Sequence, residues 1–388
     1  MRERTGDMTR PSICFIAHNA LSAITGTSQE HVGGIERQQA TMAKWLADRD
    51  WDVSVITWDD GDPTPAYVEK IRIVTLCRRS DGWPAIRFAV PRWSSLIAAL
   101  SKVDADVYYY NCGDLGLGQI VMWARKANRA VVFSVPSDPD CDPGMPSLTS
   151  FRERLLYRHG LKNCRHVVVQ SSKQRAMLER HFSKGTTLLP MPCHGFPQKK
   201  RSTQGSTDKP FEVLWVGRIS PEKRPEWLLD VARRLPDVQF KVAGAPNRQT
   251  AYSDRIETAA RSLQNFTMLG RVPYREIARH YNAADLLCCT SVYEGFPNAF
   301  LEAWSTGLPV ISTCDPDDKI ATLELGAAAD SVEAIVNQII GLRDNPGKLS
   351  SISANAKDYF VANHSIDTAM PRFNEYFHSV RAMHVTQE

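Results

Sequence analysis

Short apolar-rich runs alternate along this chain with longer stretches whose apolar positions recur every three or four residues. Ser12–Ala17 (SICFIA), Val53–Thr57, Ile71–Leu76, Val107–Tyr110, Ala130–Val135 (AVVFSV) and His166–Gln170 (HVVVQ) read as strands, several apolar enough to be buried on both faces of a parallel sheet. Helices are predicted between them. One runs from Gly33-Gly34 through Leu46, with Ile35, Met42, Ala43 and Leu46 inward. Another is marked by Leu96, Leu100 and Val103. Further helices cover Ile120–Ala127, Ser150–Tyr157 and Lys173–His181, the last capped by Ser171 or Ser172. Leu188–Pro192 closes the first half as a strand. The second half repeats the pattern, with strands at Phe211–Val216 (FEVLWV), Phe240–Gly244, Phe266–Gly270, Asp285–Ser291 and Pro309–Ser312. Helices are expected at Trp227–Leu235, Ile256–Leu263, Tyr274–Asn282, Ser331–Leu342, Leu349–Phe360 and Thr368–Val380. Strands alternating with helices through both halves predict an α/β fold with parallel sheets and right-handed crossovers. Gln198–Pro210 (QKKRSTQGSTDKP) is polar, basic and without apolar periodicity, so it reads as a flexible connector. The expected division is therefore 1–197, a linker at 198–210, and 211–365.

Composition narrows the reading. At 388 residues the chain has room for two or three domains. A net charge of +4 is too slight to imply nucleic-acid binding. Nine scattered cysteines without a CxxC pair suit small core hydrophobes in a reducing compartment. No apolar run approaches the roughly 20 residues that span a bilayer. The start, MRERTGDMTRP, lacks the apolar core of a secretory signal, so a cytoplasmic protein is expected. Arg78, Arg79, Arg87 and Arg92 are interleaved with Trp83, Phe88 and Trp93. That mixture suits a membrane surface or a lipid-linked molecule. A surface loop with a half-buried helix is the favoured reading, since no long amphipathic stripe develops.

Candidate chemistry concentrates at Ser291–Pro309 (SVYEGFPNAFLEAWSTGLP), which reads as a strand end, a glycine turn and a helix. Pro297 suits the first helical position. Phe300, Leu301 and Trp304 are spaced for one buried face. Free amides near Gly295, Phe296 and Asn298, together with the helix dipole, make an anion site. Glu294 and Glu302 frame it, and carboxylates accept hydrogen bonds from sugar hydroxyls. A ligand carrying both phosphate and hydroxyls, a nucleotide-sugar, fits both features. Arg218 and Lys223, in Gly217-Arg-Ile-Ser-Pro-Glu-Lys223, converge around a turn as a clamp for a diphosphate. Gly33-Gly34 is either a tight turn or a place where backbone approaches a ligand. Asp138, Asp140 and Asp142 alternate like a calcium loop, but Pro143 and Thr149 stand where that loop needs glycine and glutamate, so calcium is rejected. No metal or cofactor is expected.

Glu294 and Glu302, eight apart and flanking GFPNAFL, resemble the E-x7-E element of the large retaining GT-B glycosyltransferase family often called family four. Gly217-Arg218 through Lys223 is similar to that family's G-R-x-x-x-x-K element. The resemblance implies two Rossmann-like domains with parallel sheets facing a central cleft, and a final helix (366–388) returning to the first domain. It implies Arg218, Lys223 and Glu294 in catalysis. Gly33, Gly34, Gly295, Phe296, Pro297, Asn298 and Glu302 would bind the donor. It also implies transfer from a nucleotide-diphosphate sugar to a glycan or lipid-linked acceptor, in polysaccharide or cell-envelope glycan synthesis, with peripheral contact at the inner membrane face. The family's usual histidine after the Ala130–Val135 strand is missing. Ser137 and Asp138 stand there instead, as acceptor-hydroxyl contacts or as a capping loop. Met191 replaces an asparagine in PMPCHG, and TCDPDDK lacks a double glycine. A nucleotide-sugar epimerase or hydrolase of the same fold, and a non-catalytic binding subunit, are the alternatives.

Overall fold

A computed structural model describes residues 10–26, 33–61, 63–84, 86–198 and 209–385. The chain divides into two compact units, Met1–Pro192 with Ala369–Glu388, and Cys193–Thr368. The expected connector lies almost entirely outside the described residues.

The first unit holds an eight-stranded sheet. Its strands are β1 (Ser12–Ile16), β2 (Asp52–Asp59), β3 (Tyr67–Val68), β4 (Ile71–Arg78), β5 (Val107–Tyr110), β6 (Ala130–Ser134), β7 (His166–Val169) and β8 (Thr187–Leu188). Their order is β3-β4-β2-β1-β5-β6-β7-β8. Only β3 runs antiparallel to its neighbour. The chain moves outward from β1 to β4, then returns to the other side of β1 with β5. Helices cover both faces. On one, Phe15 of β1, Tyr109 of β5 and Phe377 of helix Ile366–Val385 form a cluster of tilted and edge-to-face rings with centroids 5.3 and 5.8 Å apart. The Trp51 indole donates to Asn374 Oδ1 at 2.7 Å on the same helix. Phe373 and Phe377 are fully buried, and each such side chain stabilises by about 1.5–3 kcal/mol.

The second unit is a six-stranded parallel sheet. It comprises β9 (Glu212–Val216), β10 (Gln239–Ala243), β11 (Phe266–Gly270), β12 (Leu286–Cys289), β13 (Val310–Ser312) and β14 (Gly326–Ala328), in the order β11-β10-β9-β12-β13-β14. The chain steps from β9 out to β11, then crosses to β12 on the far side of β9. That reversal leaves a crevice at the carboxyl ends of β9 and β12. Gly244 permits it, because a Cβ there would lie 1.7 Å from the Gly217 carbonyl oxygen.

Four elements depart from the sequence reading for local reasons. The strand expected at Leu188–Pro192 contracts to β8, since Pro190 and Pro192 have no N–H to offer a ladder. β3 and β14, two and three residues long, are too short to show a period. The helix expected from Ile120 begins at Gly116. Its Gly118 faces helix Phe151–Asn163, and a Cβ on Gly118 would lie 2.2 Å from the Leu156 carbonyl oxygen. Gly160 returns the contact, since a Cβ added there would lie 2.7 Å from the Gly118 nitrogen. The two helices therefore meet backbone to backbone. Gly118→Ala should force them apart and lower stability by about 1–3 kcal/mol in a urea melt. Gly341→Ala, with open space around it, should leave the midpoint unchanged or raised.

Candidate functional site

Two loops build the crevice of the second unit, and their own chemistry holds them together. The first leaves β9 at Gly217 and ends in a tight turn, Pro221–Lys223. The second leaves β12 and runs to helix Asn298–Ser305. Strand pairing between β9 and β12 sets them side by side. The Thr290 hydroxyl donates to the Lys223 carbonyl at 2.6 Å, and the Val292 amide donates to the Glu222 carbonyl at 2.8 Å. Arg224 takes a left-handed conformation, φ 45°, unfavourable for a residue with a Cβ. Its guanidinium stacks on Trp227 at 4.0 Å and donates to the Thr290 and Ser291 carbonyls at 2.7 and 3.0 Å, fixing that conformation.

Of the predicted cations and carboxylates, Lys223 and Glu294 meet here. The Lys223 ammonium pairs with the Glu294 carboxylate, both side chains mostly buried. The Ser291 hydroxyl donates to the same Glu294 oxygen at 2.6 Å. Burial opposes the Lys223 charge, but the Glu294 carboxylate outweighs it and holds the ammonium above its ordinary range. Arg218, about half exposed, donates to Glu222 Oε1 at 2.8 Å. Glu222 sits below the usual carboxylate range. Burial would raise it, and the Ser220 hydroxyl, the backbone and the Arg218 guanidinium overcome that. Arg218 is near enough to work against protonation of Lys223. Each cation is thus paired with a carboxylate, and the partner of Lys223, Glu294, immediately precedes Gly295.

The remaining predicted residues take distinct places. Pro297 is the N-cap, with Asn298 the first helical residue, one position later than expected. Phe296 turns its ring inward against Trp304 and His364, centroids 6.1 and 4.8 Å away. The Lys319 ammonium lies 5.5 Å from that ring. Glu302 lies on the inner side of the helix, 4% exposed, and receives the Tyr281 hydroxyl at 2.7 Å. In the first unit, Gly33 is the N-cap of helix Gly34–Ala47. The Glu36 carboxylate curls back to this mouth, 2.3 Å from where a Gly33 Cβ would sit. Asp138 pairs with Lys173 at 2.7 Å. The Ser137 hydroxyl donates to Asp140 Oδ2 at 2.6 Å.

Sequence reasoning missed Ser291, Arg224, Tyr281 and Asp140. The Ser291-x-x-Glu294 spacing held the signal for the first. Asp140, set aside with the rejected calcium loop, is the buried carboxyl of its turn and packs against Gly113. Burial pushes its pKa up to about 6, against the hydrogen bond from Ser137 and with help from Asp114 and Asp138.

Comparisons with known proteins identify the family and the fold. Residues 33–194 match the glycosyl transferase 4-like domain, and residues 197–359 match glycosyl transferases group 1. The chain is 27% identical over 187 residues to the D-inositol 3-phosphate glycosyltransferase of Mycolicibacterium smegmatis, a stretch covering 44% of this chain and 42% of that protein. It therefore spans less than half the length of that relative. A longer match, 24% identical, covers 70% of this chain and 73% of a Campylobacter jejuni protein. That protein is the GalNAc-alpha-(1->4)-GalNAc-alpha-(1->3)-diNAcBac-PP-undecaprenol alpha-1,4-N-acetyl-D-galactosaminyltransferase. Among solved structures, sucrose-phosphate synthase from Thermosynechococcus elongatus superposes with a TM-score of 0.78 at 19% identity, covering 96% of this chain and 100% of that one. Anabaena HepE, solved with UDP and glucose, gives 0.73 at 18% identity, covering 95% and 99%. With both halves matched and the fold shared, the chain belongs to the GT-B glycosyltransferases of the family-four type.

The Asp140 pKa makes a pH prediction. A carboxyl raised from 3.8 to about 6 on folding favours the folded state below pH 3.8, and that advantage is lost as pH rises through 6. Asp140→Asn removes the charge but keeps an acceptor for Ser137. The variant should gain stability over wild type as pH rises across that window, by roughly 1–3 kcal/mol at neutral pH, read from urea melts at each pH.

Proposed function

We propose that this chain is a retaining transferase that moves a sugar from a nucleotide-diphosphate donor to a glycan or lipid-linked acceptor. One observation supports the reading: Lys223 of the loop after β9 pairs with Glu294 of the loop after β12, beside the Gly295–Asn298 segment that opens the next helix. The reaction's largest electrostatic demand is the negative charge growing on the departing diphosphate. An ammonium, a guanidinium and a helix mouth, held by loops already bonded to one another, meet that charge once the two cations turn from Glu294 and Glu222. They supply what a divalent cation would otherwise supply, and no cofactor is needed.

In the proposed step the acceptor oxygen bonds to the anomeric carbon as the carbon–oxygen bond to the diphosphate breaks. The acceptor proton passes to a diphosphate oxygen. Glu294, already engaged by Lys223 and Ser291, is a poor nucleophile, which suits its assignment to sugar hydroxyls and a mechanism without a covalent enzyme intermediate. Glu302, oriented by Tyr281, takes the ribose. Gly33 and Gly34 are assigned to the donor phosphates, and Ser137 and Asp138 to acceptor hydroxyls. The UDP and glucose in HepE, and the PP-undecaprenol in the Campylobacter relative's name, support a nucleotide-sugar donor and a lipid-linked acceptor. Such an acceptor places the work at the inner membrane face, in cell-envelope glycan synthesis. Among the described residues no helix is long and apolar enough to cross a membrane, so contact there would be peripheral.

A panel of nucleotide-sugars, screened by thermal shift, should identify the donor through a raised midpoint. With that donor, Lys223→Ala should lower kcat by about 10²–10³, as loss of one preorganised charge does at such sites. Near-normal turnover would overturn the assignment.

A further inference from the structure

The arginine–aromatic run at 78–93 remains outside the crevice chemistry. The structure shows what the sequence alone left as an ordinary surface loop. Trp83 is 80% exposed, Ile86 61% and Val90 59%. The Ile86 amide donates to the Trp83 carbonyl and the Val90 amide to the Ile86 carbonyl, each at 3.0 Å, so the three residues lie on successive turns. A second element joins them. The Arg152 guanidinium sits 4.0 Å over the Phe88 ring, bringing the start of helix Phe151–Asn163 against this segment. On that helix Phe151 is 81% exposed, and Leu155, one turn on, is 56% exposed. Two segments separated by more than fifty positions thus present bulky apolar side chains to solvent side by side.

Charge says what covers them. Residues 78–93 and 151–158 carry seven arginines against Asp81 and Glu153, a surplus of five, larger than the whole chain's net charge of +4. The rest of the molecule is close to neutral, and of the seven arginines Arg78 is paired outside these segments, with Asp59. Tryptophan and phenylalanine that insert at the headgroup level, surrounded by guanidinium groups, match an anionic bilayer in both respects. A protein partner would be expected to need a flatter apolar core with fewer like charges.

We propose that the face formed by Trp83, Ile86, Val90, Phe151 and Leu155, with Arg87 and Arg152, docks on an anionic phospholipid surface. It deepens the functional reading by naming where that reading's membrane contact lies, but its support is the surface itself. Docking would bring a membrane-bound acceptor to the first unit without any spanning segment.

The test is sedimentation of the full chain with vesicles of phosphatidylcholine alone or mixed with phosphatidylglycerol. The chain should pellet with the anionic vesicles, remain in solution with the neutral ones, and be released as salt rises. Trp83→Ser with Phe151→Ser should abolish pelleting, and Arg87→Glu with Arg152→Glu should weaken it about tenfold or more. Trp83 and Phe151 are exposed, so the melting midpoint of that pair should match wild type, whereas the arginine pair, which loses the Arg152 stack on Phe88, should melt slightly lower. Wild type that ignores anionic vesicles, or variants that bind as wild type does, would overturn the proposal. Self-association in sedimentation velocity that the Trp83/Phe151 variant loses would reassign the face to a second copy of the chain. Because the readout is lipid binding, a donor-induced thermal shift retained in the variants separates failure here from failure of the transferase reading.

Discussion

The contact between the Lys223 ammonium and the Glu294 carboxylate is the interaction on which the site depends. It joins two loops 71 positions apart in sequence. It exists because β12 pairs with β9 while the chain between them travels out to β11 and back. A parallel sheet with this reversal opens a crevice between the loops that follow the two strands. The chain fills that place with groups that bond across it: Thr290 to Lys223, Val292 to Glu222, Arg224 to Thr290 and Ser291. The loops are therefore set before any ligand arrives.

The pair also has a cost that suits its assigned work. Holding an ammonium and a carboxylate away from water is expensive, and their mutual attraction with the Ser291 hydroxyl offsets it. A diphosphate offers the ammonium a second partner of higher charge. Lys223 can then turn toward the ligand while Ser291 continues to satisfy Glu294, leaving the carboxylate free to accept sugar hydroxyls. Arg218, more exposed and tied to Glu222 within its own loop, is the more easily redirected of the two cations. The left-handed backbone at Arg224 belongs to the same economy, being unfavourable by itself and held by three interactions at the loop junction.

What the chain reveals in sequence and what it hides divide along the range of the interactions. Arg218 with Lys223, and Glu294 with Glu302, are local spacings, and they were legible with their family resemblance. The alternation of apolar runs and amphipathic stretches likewise predicted two α/β halves with parallel sheets. Tyr281 against Glu302, 21 positions apart, depends on how helix Tyr274–Ala283 packs, and no spacing announces it. Asp140 looked like one of three alternating carboxylates, and only burial distinguishes it from Asp138, which pairs with Lys173. The arginines and aromatics at 78–93 were visible as composition, yet their exposure, and the approach of Phe151 to them, are tertiary facts. β8 stopped short where prolines removed its donors, a local rule that could have been applied from the residues alone.

The account turns on one diphosphate being gripped from both loops of the second unit. Crystals of the chain grown with UDP test this directly. The diphosphate should lie at the carboxyl ends of β9 and β12, about 3 Å from both Lys223 Nζ and the Arg218 guanidinium and facing the Gly295–Asn298 amides. A nucleotide bound elsewhere, with Lys223 still closed on Glu294 and out of reach of any phosphate oxygen, would contradict it.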